Sequence, residues 1–134
     1  MNIEVKKLAV IADNRGWLTE ILKNEPSQTI EQIHFSLSKP GMIRGNHYHK
    51  HRTEWLLVTS GMGKVFLEDN ITKEKSELTL MADCPVLIKI SPNITHAIVN
   101  CGDEPMHLLA VTSQKHDSKD TDTHQKNITP LEKQ

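Results

Sequence analysis

The stretch GMIRGNHYHKHRTEWLLVTSG, residues 41–61, decides how the rest of the chain is read. His47 and His49 stand two positions apart, Glu54 follows after four residues, and Gly41 and Gly61 bound the run. Alternate side chains of an extended strand share a face, so His47 and His49 project together while Tyr48 points the other way. Two imidazoles with a carboxylate close behind are ligands that a borderline divalent cation accepts. A fourth candidate is His96, in ISPNITHAIVN at residues 90–100. His47, His49, Glu54 and His96 are therefore the expected ligands of one divalent ion, zinc first and manganese, nickel or iron after it. Four protein ligands close a tetrahedral zinc but leave two positions open on a six-coordinate metal. The spacing does not choose between the two.

Outward from this stretch the chain reads as short strands separated by turns. Residues 3–11 look like an opening strand, Asp13-Asn14-Arg15-Gly16 a turn, and Trp17–Leu22 the next strand. Residues 23–29, with Pro26, read as a loop. Ile33, Phe35 and Leu37 alternate with Gln32, His34 and Ser36, a strand with one apolar and one polar face. If the apolar face packs outward against another sheet or subunit, the polar stripe lines a cavity; otherwise it is solvated. Further strands are expected at 54–59, 65–67, 76–80, 86–90, 96–100 and 106–112. No 3.6-residue periodicity of any length interrupts them, so the fold class is all-β, a sandwich or barrel. Residues 1–113 make one domain, and 114–134 a polar tail, extended or partly disordered, with only Ile128 and Leu131 strongly apolar.

The 134 residues suffice to bury a core without staples. Sixteen basic against seventeen acidic side chains leave a net charge of −1, with no basic stripe, which argues against nucleic acid as a partner. No apolar run is long enough to span a membrane, and no signal peptide opens the chain. Cys84 and Cys101 fit no metal or redox spacing and are expected as reduced thiols in a cytoplasmic protein.

The spacing Gly41, five residues, His47-x-His49, four residues, Glu54, six residues, Gly61 is that of the first cupin motif. The second motif, at about residues 85–100, keeps His96 and Asn100 in place, with Ser91 where a Pro is expected and Asn93 where a Gly is expected. Asn tolerates left-handed backbone geometry, so that turn survives. The likeness to the cupin superfamily implies a double-stranded β-helix, or jelly-roll, barrel. From Asp13 to about Thr123 the chain resembles the carboxy-terminal cupin of the bifunctional reductase/epimerases of capsular polysaccharide synthesis. The likeness lies in Asp13-x-Arg15-Gly16-x-Leu18-Thr19-Glu20, Ser38-Lys39-Pro40-Gly41, Gly45-Asn46-His47-x-His49 and Leu57-Val58-x-Ser60-Gly61. More distantly it is similar to the dTDP-4-dehydrorhamnose 3,5-epimerases, in Gln32-x-His34-x-Ser36 followed by Arg44-Gly45-Asn46-His47-Tyr48. A weaker likeness, to the cupins of type II phosphomannose isomerases, lies in His51-Arg52-x-Glu54-Trp55 and His96-Ala97-x-Val99-Asn100-x-Gly102.

These resemblances imply an epimerase or isomerase of keto-deoxy nucleotide sugars in surface polysaccharide biosynthesis. Gln32, Ser36 and Arg44 would contact the substrate, the Arg44 guanidinium taking a phosphate bidentately. His34, or alternatively His51, would move the proton. His51 continues the i, i+2 series, although Lys50 and Arg52 beside it suggest that the strand is turning. Three alternatives keep the cupin: a phosphosugar isomerase, an iron dioxygenase, and a non-catalytic sugar-binding module. A homodimer is expected, with the apolar face of the Ile33 strand as its physical reason.

Overall fold

The computed structural model describes residues 1–23, 29–114 and 119–130. Two five-stranded antiparallel sheets face each other. The first runs, in spatial order, β1 (Ile3–Lys7), β9 (Val86–Ile90), β6 (Glu54–Ser60), β11 (Met106–Thr112) and β4 (Gln32–Ser38). The second runs β12 (His124–Gln125), β5 (Ile43–Tyr48), β10 (Ile94–Asn100), β7 (Met62–Asp69) and β8 (Lys75–Met81). Among the described residues, β2 (Val10–Asp13) and β3 (Gly16–Thr19) form a separate hairpin that pairs only with itself. This is the expected all-β jelly roll. Among the described residues no helix is long and apolar enough to cross a membrane.

Strand alternation builds two cores. Leu56 and Val58 of β6 point between the sheets and join Val65, Leu67, Ile88, Ile98, Met106 and Leu108. Their neighbours Trp55 and Leu57 point to the outer side of the first sheet, where Leu8, Ile21, Leu22, Leu87 and Val111 cover them. Each such apolar side chain contributes about 1.5–3 kcal/mol when fully buried, so β6, buried on both faces from Trp55 to Val58, anchors the barrel. The outer cover stops short of β4. Ile33, Phe35 and Leu37 remain 62, 66 and 45% exposed.

Several element boundaries differ from the sequence reading. The single opening strand divides in two: β1 pairs with β9, and Leu8, buried and bonded through its N–H to the Pro85 carbonyl, turns the chain away into the hairpin. The strand expected over 17–22 ends at Thr19, because Ile21 and Leu22 are drawn onto the outer core. β7 starts at Met62, since Gly61 alone, at φ 85°, makes the break. Residues 24–28 of the expected loop, and 115–118 and 131–134 of the expected tail, lie outside the described residues. Residues 119–130 run as a strap along the second sheet, β12 pairing His124 with Tyr48 and Gln125 with His47.

Candidate metal centre and its cavity

The four expected ligands come from both sheets. His47 lies on β5 and His96 directly opposite it on β10. Glu54 opens β6 in the facing sheet, and His49 stands just beyond the end of β5. The β5–β10 pairing slips by one residue here: Gly45 faces Ala97 and His47 faces His96, so Asn46 is extra. Gly45 and Asn46 take φ of 98° and 57°, a bulge that re-aims the following histidines. The strap fills the bulge, the Lys126 N–H donating to the Asn46 carbonyl and the Ile128 N–H to the Asn46 side-chain oxygen. Asn93, at φ 68°, makes the turn expected of it and donates its N–H to the His49 carbonyl at 2.7 Å, tying the two motifs together.

One ligand atom from each of His47, His49, Glu54 and His96 lies within 4.8 Å of every other. Ring centroids are 4.9 Å apart for His47–His49 and His47–His96, and 5.7 Å for His49–His96. The Nδ1 of His49 lies 2.8 Å from the Asp122 carbonyl oxygen, and that of His96 lies 3.1 Å from the Ile94 carbonyl oxygen. A carbonyl only accepts, so each Nδ1 carries a proton, and in the neutral imidazole each Nε2 keeps its lone pair. Both Nε2 atoms point at Glu54 Oε1, at 3.5 Å for His96 and in contact for His49, with no hydrogen bond of proper geometry. Two lone pairs aimed at a buried carboxylate call for positive charge between them. A divalent ion meets that need with all the donors retained, and the Nδ1–carbonyl bonds are the outer support that metal-bound histidines use. Burial pushes the Glu54 carboxyl up, but His96 and His49 beside it hold it well below the ordinary range. Burial likewise pushes the His96 imidazole down, and Glu54 more than reverses this.

The cluster forms one wall of a cavity of about 410 Å³ between the sheets. Of the expected substrate-facing residues, His34, Ser36 and Arg44 line it. Arg44 is oriented by bonds from Nε to Ser38 Oγ and from Nη2 to the Leu37 carbonyl, both 2.8 Å. The rest of the lining includes Ile43, Leu56, Ile98, Leu108 and Thr112. Several of these were legible in principle, since Leu56 and Ile98 stand two residues beyond Glu54 and His96. Gln32 and His51 are not among the lining residues. The backbone turns after His49, leaving His51 exposed with its N–H bonded to Asp122. The sequence reading missed Arg52, Asp120 and Asp122. Arg52 is 2% exposed and its Nη2 lies 2.8 Å from Asp120 Oδ1. Nothing in a polar run distinguishes its buried acids from its solvated ones. A larger groove, about 610 Å³, lies under the strap on the second sheet. Its Glu68 is paired with Lys126 and Lys75.

The sequence profile of the polysaccharide biosynthesis C-terminal domain family matches residues 11–124. UDP-2-acetamido-2,6-beta-L-arabino-hexul-4-ose reductase of Pseudomonas aeruginosa is 30% identical over 113 residues, covering 84% of this chain but only 30% of that protein. The spore coat polysaccharide biosynthesis protein SpsL of Bacillus subtilis is 27% identical over 127 residues, covering 90% of this chain and 84% of SpsL. Among solved structures, the sugar 3,4-ketoisomerase QdtA of Thermoanaerobacterium thermosaccharolyticum, in complex with TDP, superposes with a TM-score of 0.76. It is 26% identical, with 91% of this chain and 86% of QdtA covered.

Proposed function

The chain belongs to the polysaccharide biosynthesis C-terminal domain family, and on that premise we propose that it is an epimerase or keto-isomerase of keto-deoxy nucleotide sugars. The observation that carries this reading is the meeting, in one cavity, of a four-donor cluster with His34, Ser36 and Arg44. His47, His49, Glu54 and His96 would hold one divalent ion, zinc first, which supplies Lewis acidity toward a carbonyl oxygen. Arg44, already oriented by β4, binds the diphosphate as a charged fork. Ser36 offers a hydroxyl to the sugar. His34 takes the proton from the carbon beside the ketone; an isomerase returns it from His34 to a neighbouring atom, and an epimerase reprotonates the same carbon on the opposite face from a second donor such as solvent. The apolar lining suits the deoxy carbon. The protein works as a homodimer, its second copy covering the apolar outer face of β4.

The test is incubation of a 4-keto-6-deoxy nucleotide sugar in D₂O with protein of known metal content. Deuterium at the carbon next to the ketone, lost in His34→Gln and in chelated protein, is the expected result. Wild-type protein loaded with metal that neither exchanges this proton nor forms a new sugar would overturn the assignment.

A further inference from the structure

Ser38, just before the Pro40-Gly41 turn, and Asn100, four positions after His96, have no part in the chemistry so far. The structure joins both to Arg44 through a chain of hydrogen bonds. Asn100 is buried, and its Nδ2 donates to the Ser38 carbonyl at 2.9 Å and to the Glu104 carbonyl at 2.8 Å. Its Oδ1 accepts the Gly102 N–H at 3.0 Å. Its main chain adds two bonds to the β4–β5 turn, the Gly41 N–H donating to the Asn100 carbonyl and the Asn100 N–H to the Met42 carbonyl. The end of β4 is thereby fixed to β10. Ser38, 4% exposed, offers its hydroxyl oxygen from that fixed position to Arg44.

A guanidinium carries five N–H donors on one rigid plane. Its lateral edge, formed by Nε and one Nη2 hydrogen, is already taken. Nε donates to Ser38 Oγ and Nη2 to the Leu37 carbonyl, both at 2.8 Å. The terminal edge, formed by Nη1 and the second Nη2 hydrogen, is left for a ligand, and its two parallel donors match two oxygens of one phosphate. Ser38 itself is not among the residues lining the cavity, whereas Arg44 is. Arg44 is exposed, so without Ser38 its long side chain would have to be ordered by the ligand.

We propose that Ser38, held in place by Asn100, is a positioning residue that fixes Arg44 so that its terminal edge receives the diphosphate of a nucleotide sugar. This rests on the nucleotide-sugar reading given above. It adds that the fork is set before the ligand arrives, and that Ser38 acts through Arg44 alone. Ordering one such side chain in advance is worth about 3–10-fold in affinity.

The experiment titrates UDP and dTDP, in separate runs, into the zinc-loaded full-length chain by calorimetry. Ser38→Ala should bind the nucleotide about 3–10-fold more weakly, with zinc content and the melting transition retained. It should fold, because Asn100 bonds the Ser38 main chain, which alanine keeps. Arg44→Met should bind about 10–100-fold more weakly, and adding Ser38→Ala to it should cost nothing further. A Ser38 with a merely structural role would weaken both backgrounds by the same factor. That equal factor, or Ser38→Ala binding as tightly as wild type, would overturn the proposal. Wild type that binds neither nucleotide would overturn the nucleotide-sugar reading instead. The clamp is then judged by the Arg44 Nε–H resonance, which should exchange slowly with solvent in wild type and fast in Ser38→Ala. Equal exchange in the two would overturn the clamp as well.

Discussion

Gly45 carries a constraint that no other residue could meet. Its φ is 98°, and a Cβ built there would lie 2.6 Å from the His96 backbone oxygen. The obstacle is backbone on the neighbouring strand, which carries a ligand, so relief of the clash must move His96. Gly41 has a similar φ, 82°, but nothing within 4 Å. Left-handed backbone costs an ordinary residue roughly 1–2 kcal/mol, and Gly45→Ala adds the clash to that. Gly45→Ala is therefore expected to lose at least about 2 kcal/mol in denaturant melts and to lower metal affinity. Gly41→Ala should lose about 1 kcal/mol and bind metal normally. Equal losses in the two variants would mean that the close approach to His96 does not matter. The four ligands were legible in the sequence because a strand's period of two puts His47 and His49 together whatever surrounds them. The Gly45-Asn46 bulge was not, since register belongs to two strands at once.

At the scale of the element, β4 and the strap behave differently from what their composition suggests. β4 was read as having two faces with an undecided orientation. In the structure His34 and Ser36 face the cavity, and Ile33, Phe35 and Leu37 face out. The strap looks too polar to bury anything, yet its acids Asp120 and Asp122 are held against buried groups of the barrel. Burial pushes the Asp120 carboxyl up, but hydrogen bonds from Thr123, the Asp122 N–H and Arg52 hold it far below its ordinary value of 3.8. A carboxyl depressed by folding contributes stability that is present in full above its unfolded value, about 4, and is lost as pH falls through the folded one. Asp120→Asn, which leaves the Arg52 charge buried, should cost about 3 kcal/mol at neutral pH. The gap in melting temperature between wild type and this variant should shrink progressively below pH 4. A gap independent of pH would show that the ion pair does not hold the strap.

For the whole molecule, the outer face of the first sheet is the unfinished surface. Leu8, Ile21 and Leu22 cover it over β6 but not over β4, where Ile33, Phe35 and Leu37 stay exposed. A patch of this kind is costly to leave in water. Phe35 points away from the cavity, so Phe35→Glu should convert a dimer to monomer in sedimentation equilibrium while leaving metal binding intact. A wild-type chain that sediments as a monomer would remove the basis for a second copy on this face. The sequence by itself determined the all-β class, the four-donor set and the polar stripe of β4, because strand alternation and turn residues are local properties that any tertiary setting must respect. Only the tertiary structure decided which face of β4 turns inward, that His51 leaves the site while Arg52 enters it, and that a polar tail supplies the Asp122 carbonyl to His49. Those outcomes depend on contacts between residues more than 60 positions apart, and their energies exist only once the two sheets have closed on each other.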